Sequence, residues 1–229
     1  VRISDRWPNV SGCEDALWAV LGLVVDGVYS FAVILVADLG IEGTWHMAGM
    51  RGTGSRTVVA DDVLVPAGRV AATSPFTTAD RMLYSMTVLS PVVGAALGAL
   101  DAVGAMFASD RKPFMTTYNR MGESAGVRQW LAEATQLVHR AETTMLAVAH
   151  EAYTTEVSEN EGPRLHMDLA DAARDCRSAL ERMLDLHGAS GVNTANVLQR
   201  NWRDVAVGSR HPHLNPYFAV ERYGTVLAG

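Results

Sequence analysis

Thr73-Ser74-Pro75-Phe76-Thr77-Thr78-Ala79-Asp80 marks the point where the 229-residue chain changes character. The stretch has turn composition and ends on hydroxyl residues that suit a helix N-cap at Thr77 or Thr78. Before it the sequence reads as strands. Leu17-Trp18-Ala19-Val20-Leu21-Gly22-Leu23-Val24-Val25 and Tyr29-Ser30-Phe31-Ala32-Val33-Ile34-Leu35-Val36 are apolar runs on either side of Asp26-Gly27. An Asp-Gly pair so placed predicts a type I′ hairpin, whose two turn residues need positive φ. Runs without polar alternation predict strands covered on both faces. Thr57 to Val65 is a further β-branched run, closed by Pro66.

After the junction the chain is rich in Ala, Leu and Met at helical spacing. Helices are predicted at about 79–110, 122–157, 164–187, 195–208 and 214–227. In the third, Leu165, Leu169, Ala172, Ala173, Cys176, Leu180 and Met183 recur at i, i+3 and i+4 steps, which is a core-facing stripe. Glu159-Asn160-Glu161-Gly162-Pro163 reads as the turn before it. Strands followed by helices, without alternation, predict an α+β fold: a β domain over residues 1–75 and a helical bundle over 76–229.

Composition excludes several classes. Hydrophobic residues are 48% and charged residues 19%, too apolar for a mainly disordered chain. A compact chain of this size exposes about 10,100 Å² and buries roughly 72% of its unfolded surface. A net charge of −6 argues against a nucleic-acid partner, because gripping phosphates needs a basic face. Cys13 and Cys176 are too few for a disulfide framework or a four-thiolate zinc site, so two reduced, buried thiols in a cytoplasmic protein are expected. Val1 to Arg6 has no apolar leader. Met82 to Leu100 is uncharged and long enough to span a bilayer, with Gly94-x-x-x-Gly98 spacing. It also holds Ser85, Thr87, Ser90 and Pro91, so the expectation is a helix of a soluble core or subunit interface and no membrane partner.

Four stretches in order carry a resemblance. They are Trp7-Pro8-Asn9-Val10-Ser11-Gly12; Trp45 to Ser55 with Asp62-Val63-Leu64-Val65-Pro66; Asp110-Arg111-Lys112-Pro113-Phe114; and Gly188-Ala189-Ser190-Gly191-Val192-Asn193-Thr194 with Arg203-Asp204. Together they resemble the acyl-CoA dehydrogenase superfamily. The resemblance implies that Trp7 and Ser11 lie on the flavin-facing strand, Ser11 hydrogen-bonding the ring. It implies that Trp45 to Pro66 forms a long β-hairpin. It implies that Arg111 and Phe114 reach the cofactor of a neighbouring subunit, and that Gly188 and Gly191 form the family's glycine turn. The residue types suit these roles: a flavin takes an apolar plane with a few polar atoms at its edge, and a phosphate takes a guanidinium and backbone N–H groups. Read without the resemblance, Trp7 is equally a core residue, Ser11 a turn residue, and Gly188 a plain helix-ending glycine.

The branch of the superfamily turns on one position. Dehydrogenase members carry a carboxylate base shortly after the Arg-Asp pair, and here no Asp or Glu lies between Val205 and Tyr217. Arg210-His211-Pro212-His213-Leu214-Asn215-Pro216 instead resembles the R-H-x-x-L-N-P stretch of the two-component flavin-dependent monooxygenases. That resemblance implies reduced FMN or FAD from a separate flavin reductase, a C4a-hydroperoxyflavin, and hydroxylation of a phenolic or other electron-rich small molecule. His211 is the candidate base, because a group titrating near neutrality suits removal of a phenol proton; His213 is the second choice. A His-x-His metal site lacks a nearby third ligand. His46, His139, His150, His166 and His187 read as structural or surface residues.

Family members have a helical N-terminal domain and half of the β domain ahead of the Trp7 strand, and the sequence shows neither. Ala189 stands where the family has a second glycine. Two other readings stay open: an acyl-CoA dehydrogenase-type flavoprotein using Glu123 or Glu151, and a non-redox homologue reusing the flavin cleft. The small residues of Met82 to Phe107 predict close helix packing and a homo-oligomer, dimer or tetramer, built through residues about 79–187.

Overall fold

The computed structural model describes residues 1–155 and 157–229. The chain forms two compact units, one of residues 1–47 and 51–75, the other of residues 48–50 and 76–229.

The first unit holds six strands, β1 (Arg2–Val10), β2 (Trp18–Val25), β3 (Val28–Leu35), β4 (Gly40–Glu42), β5 (Arg56–Leu64) and β6 (Val70–Ala72). They make two three-stranded antiparallel sheets, ordered β1-β5-β4 and β2-β3-β6. Asp26 and Gly27 both have positive φ, 50° and 79°, and close the β2–β3 hairpin with Val25 opposite Val28. This is the turn that the Asp-Gly pair predicts. Ile3, Ala19, Leu21, Leu23, Ala32, Ile34, Val58 and Val65 form the core between the strands.

Three expectations need correction. The β2 run is covered on one face only: Ala19, Leu21 and Leu23 are buried while Val20 and Val24 are 63% and 67% exposed. An unbroken apolar run hides the period of two, because both faces carry the same residue class. Second, Trp45 to Ser55 is not a strand of a long hairpin. It is an extended connection with a short 3-10 turn at Arg51–Thr53, because glycine recurs there at positions 49, 52 and 54. Third, the exposed area is 13,061 Å², well above the compact expectation, and the open faces of β2 and of the loops contribute to it.

The second unit is a helical bundle: α1 (Thr78–Ala108), α2 (Ala125–Thr154), α3 (Gly162–His187), α4 (Val197–Gly208) and α5 (Pro216–Ala228). Each falls within a few residues of its predicted span. The expected end of the second helix at 157 runs past Glu156, which lies outside the described residues. Thr77 caps α1 with a full capping box: Asp80 N–H donates to Thr77 Oγ1 and the Asp80 carboxylate accepts from Thr77 N–H. Helix α1 packs against α2, α3 and α4, and α3 packs against α4 and α5. The predicted α3 stripe is buried in full, facing Leu89, Val92, Val93, Ala96 and Val103 of α1 in one core. Among the described residues α1 is the one helix long and apolar enough to cross a membrane, and it buries one stripe in the bundle.

Candidate functional site

The site grows from the end of α4. Gly208 leaves no room for a side chain, since a Cβ would lie 2.4 Å from Met50 Cε and 2.7 Å from Val92 Cγ2. Ser209 is fully buried and holds Arg177 through its carbonyl and hydroxyl, each at 3.2 Å. Arg203 and Asp204, on α4, secure the same end: Asp204 Oδ1 accepts from Met50 N–H at 2.5 Å, and Gly49 lies flat against the Arg203 carbonyl. The chain then turns through a short 3-10 segment, Pro212–Leu214, into α5. Leu214 is fully buried and pins that turn. Asn215 caps α5 by accepting from Tyr217 N–H at 3.0 Å, with Pro216 in the first helical position. Much of the R-H-x-x-L-N-P stretch is thus architecture that presents its histidines.

His211 caps the 3-10 turn, its Nδ1 accepting from His213 N–H at 3.3 Å. This selects the neutral tautomer with hydrogen on Nε2. The rings of His211 and His213 stack at 5.4 Å and 14° between planes, and His213 stacks on Tyr84 of α1 at 6.4 Å. His213 Nδ1 lies 3.4 Å from Ser85 Oγ. The His213 carbonyl accepts from His166 Nε2 at 2.7 Å, and His166 is buried on α3. Desolvation lowers the pKa of all three histidines. His213 adds a smaller push in the same direction on His211, and Arg222 does so on His213 and His166. Each ring is therefore neutral near pH 7. A neutral imidazole whose outer edge is exposed can exchange a proton with a phenol. Tyr84, Ser85 and His166 were not legible as part of this cluster. His166 sits one place beyond the apolar Leu165, so spacing alone files it with the stripe.

Arg111 and the glycine turn are brought together. The Arg111 guanidinium donates to the His187 carbonyl, lies 3.2 Å from His187 Nδ1, and donates to Ser190 Oγ at 3.2 Å. It thereby caps the carbonyl end of α3, where a cation is favoured. Gly188, with φ of 72°, ends that helix, and Gly191 N–H returns to the Gly188 carbonyl at 2.8 Å. Phe114 is 89% exposed on the loop between α1 and α2.

Trp7 and Ser11 belong to the β unit. Trp7 is half-buried and its indole N–H donates to the Gly22 carbonyl at 2.6 Å, so the indole ties β1 to β2. Ser11 lies just past β1, with its Oγ 2.8 Å from Ser55 Oγ, which is 2.8 Å from Thr53 Oγ1. Ser11 is the exposed end of this chain of hydroxyls, and Ser55 behind it is buried. Glu123 accepts from Asn119 N–H at 2.8 Å, and Glu151 is paired with Arg164, so both carboxylates have partners within the chain. No group of three metal-ligating side chains occurs among the described residues.

Taken unit by unit, the residue types suit a flavin: in the β unit Ser11 offers a hydroxyl for a ring edge and Trp7 ring surface but not its committed N–H, and in the helical unit Phe114 offers an exposed ring beside an Arg111 guanidinium that already caps α3.

Known proteins are similar to this chain over nearly its whole length. The oxygenase subunit HsaA of a flavin-dependent monooxygenase from Rhodococcus jostii is 31% identical, over 97% of this chain and 65% of that protein. The oxygenase component of an FADH2-dependent resorcinol hydroxylase from Rhizobium sp. is 31% identical, over 93% of this chain and 61% of its own length. The structure of XiaF from Streptomyces sp., in complex with FADH2 and glycerol, superposes with a TM-score of 0.88 at 28% identity, covering 100% of this chain and 64% of that one. The chain therefore spans less than two thirds of the length of each. A family model described as acyl-CoA dehydrogenase, C-terminal domain matches residues 86–216, more than half of the sequence, and the chain belongs to that family.

Proposed function

We propose that the protein serves as the oxygenase component of a two-component flavin-dependent monooxygenase. It takes reduced FMN or FAD from a separate flavin reductase and hydroxylates a phenolic or other electron-rich small molecule in the cytoplasm. The observation that carries this reading is His211: an exposed, neutral imidazole at the position after Arg203-Asp204 where a dehydrogenase needs a carboxylate. The oxygenase components among the relatives support it.

Reduced flavin supplies the activated oxygen when it is bound. The chain's own residues do the rest. Ser11 holds the ring edge through its hydroxyl, backed by Ser55 and Thr53. Arg111, with the Gly188–Gly191 turn behind it, and Phe114 serve the phosphate end of a flavin held by a neighbouring copy of the chain. His211 receives the phenol proton. In the tautomer favoured here Nε2 carries the hydrogen, so accepting at Nε2 requires the 3.3 Å contact from His213 N–H to release Nδ1. That contact is long enough to break at little cost. A symmetric oligomer through residues about 79–187 completes the reading. The exposed Leu83, Phe114, Met115 and Leu146 of the helical unit are apolar surface that such a contact would cover.

The test is a single turnover. The protein is mixed with chemically reduced FMN or FAD, then with isotopically labelled oxygen and a panel of phenols. Labelled hydroxyphenol, reduced about 10²–10⁴-fold in His211→Ala, is the expected result. Bleaching of oxidised flavin by an acyl thioester without oxygen would overturn it.

A further inference from the structure

A cavity of about 300 Å³ opens in the helical unit, lined among others by Arg81 and Met82 of α1, Glu159 in the turn before α3, His166 of α3, His213, and Arg222 of α5. His211 is not among its walls. We propose that this cavity, which shares Ser85, His166 and His213 with the histidine cluster, binds one small organic carboxylate, anchored by Arg222. The inference stands whether or not the protein is a monooxygenase.

The charges around the cavity select the ligand. Arg81 is already satisfied: it donates to both oxygens of Glu159 at 2.8 Å and to the Phe76 carbonyl at 2.8 Å. Its charge is cancelled by Glu159, whose pKa that pairing lowers. His166 and His213 are neutral near pH 7. Arg222 has no hydrogen-bond or ion-pair partner among the described residues, although it is close enough to His166 and His213 to disfavour their protonation. The walls therefore carry one uncompensated positive charge, which fits a single anionic group. A guanidinium takes a carboxylate through two parallel N–H bonds. Met82, Pro163 and the His213 ring give the rest of the ligand apolar surface. The volume is at the small end for ligand pockets and accommodates a benzoate-sized molecule.

His213 also forms the stack with His211, so it faces both places. An anion beside Arg222 offsets that cation and restores basicity to His213.

Isothermal titration of the full chain with benzoate, at low salt and pH 7.5, tests the site. Benzoate should bind. Benzyl alcohol, the neutral analogue, should bind at least about tenfold more weakly, as should benzoate to Arg222→Gln, since a charge-assisted pair carries that much discrimination. Arg222→Lys should recover part of the loss. Thermal melts of each variant report whether it is folded. In NMR the His213 ring resonance should titrate at higher pH with benzoate present, in the wild type and not in Arg222→Gln. Absence of benzoate binding, equal binding of benzyl alcohol, or unchanged affinity in a folded Arg222→Gln would each overturn the proposal. None of these readouts needs flavin, so failure here leaves the oxygenase reading standing, and failure of single-turnover hydroxylation leaves this one standing.

Discussion

Replacing His166 by Phe isolates what one buried imidazole does for the candidate site. The ring is 4% exposed, and its Nε2–H supplies the hydrogen bond to the His213 carbonyl at 2.7 Å. Phenylalanine keeps most of the volume and removes the donor, leaving a partly buried carbonyl without its partner. That costs about 1–3 kcal/mol. In a chain of this length it lowers the melting temperature by roughly 2–4 °C per kcal/mol. The cost depends on pH, and the sign follows from the direction of the shift. Burial holds the folded pKa of His166 below its ordinary value. Above about pH 6.5 both folded and unfolded imidazoles are neutral, and the full contribution is present. As pH falls through that value the unfolded chain takes up a proton first, so the wild type loses stability down to the folded pKa. The Phe variant has no proton to take up at that position. Denaturant melts of the two proteins at pH 8 and pH 5.5 should therefore show a gap of about 1–3 kcal/mol at the higher pH that narrows at the lower. His187 and His211 also titrate, but they are common to both proteins and cancel in the difference, and the coupling of His213 to His166 is the smallest of the contributions to the His166 shift. An equal gap at both pH values would refute the claim that His166 is held neutral by burial.

Other outcomes follow from the same geometry. Gly208→Ala should destabilise the helical unit by about 1–3 kcal/mol in denaturant melts, because Met50 and Val92 fill the space a methyl would need. Cys13 and Cys176 are both buried, and burial pushes the Cys176 thiol up to about 12, so a thiol reagent should label neither quickly in the native protein and both after unfolding. Arg111→Ala should weaken binding of reduced flavin and leave the Trp7 fluorescence environment unchanged, read by parallel flavin titration and emission spectra. Sedimentation of the dilute protein should show an oligomer whose dissociation lowers flavin affinity; a 25 kDa species binding flavin undiminished would count against assembly across α1 to α3.

How much of this was legible in the sequence depended on how local each signal was. The Asp26-Gly27 turn, the Thr77 cap and the α3 stripe are written in adjacent or periodic residues, and each has one low-energy local answer. The β2 run was less legible because Val20 and Leu21 are equally apolar, so the sequence carries no mark of which one faces out. Trp7 was ambiguous for a different reason. An indole serves a flavin plane or a sheet-to-sheet hydrogen bond equally well, and the choice rests with Gly22, fifteen residues away. The histidine cluster shows the same limit most sharply. His211 and His213 stand together in the sequence and contact each other, yet the His213 ring meets Tyr84 and Ser85 on α1 and its carbonyl is held by His166 on α3, more than forty positions distant. The candidate base was therefore readable, and the residues packed around its neighbour were not. Arg222 completes that argument: in sequence it is one cation among nineteen basic residues, and only the folded chain leaves it facing a cavity without an ion-pair partner among the described residues.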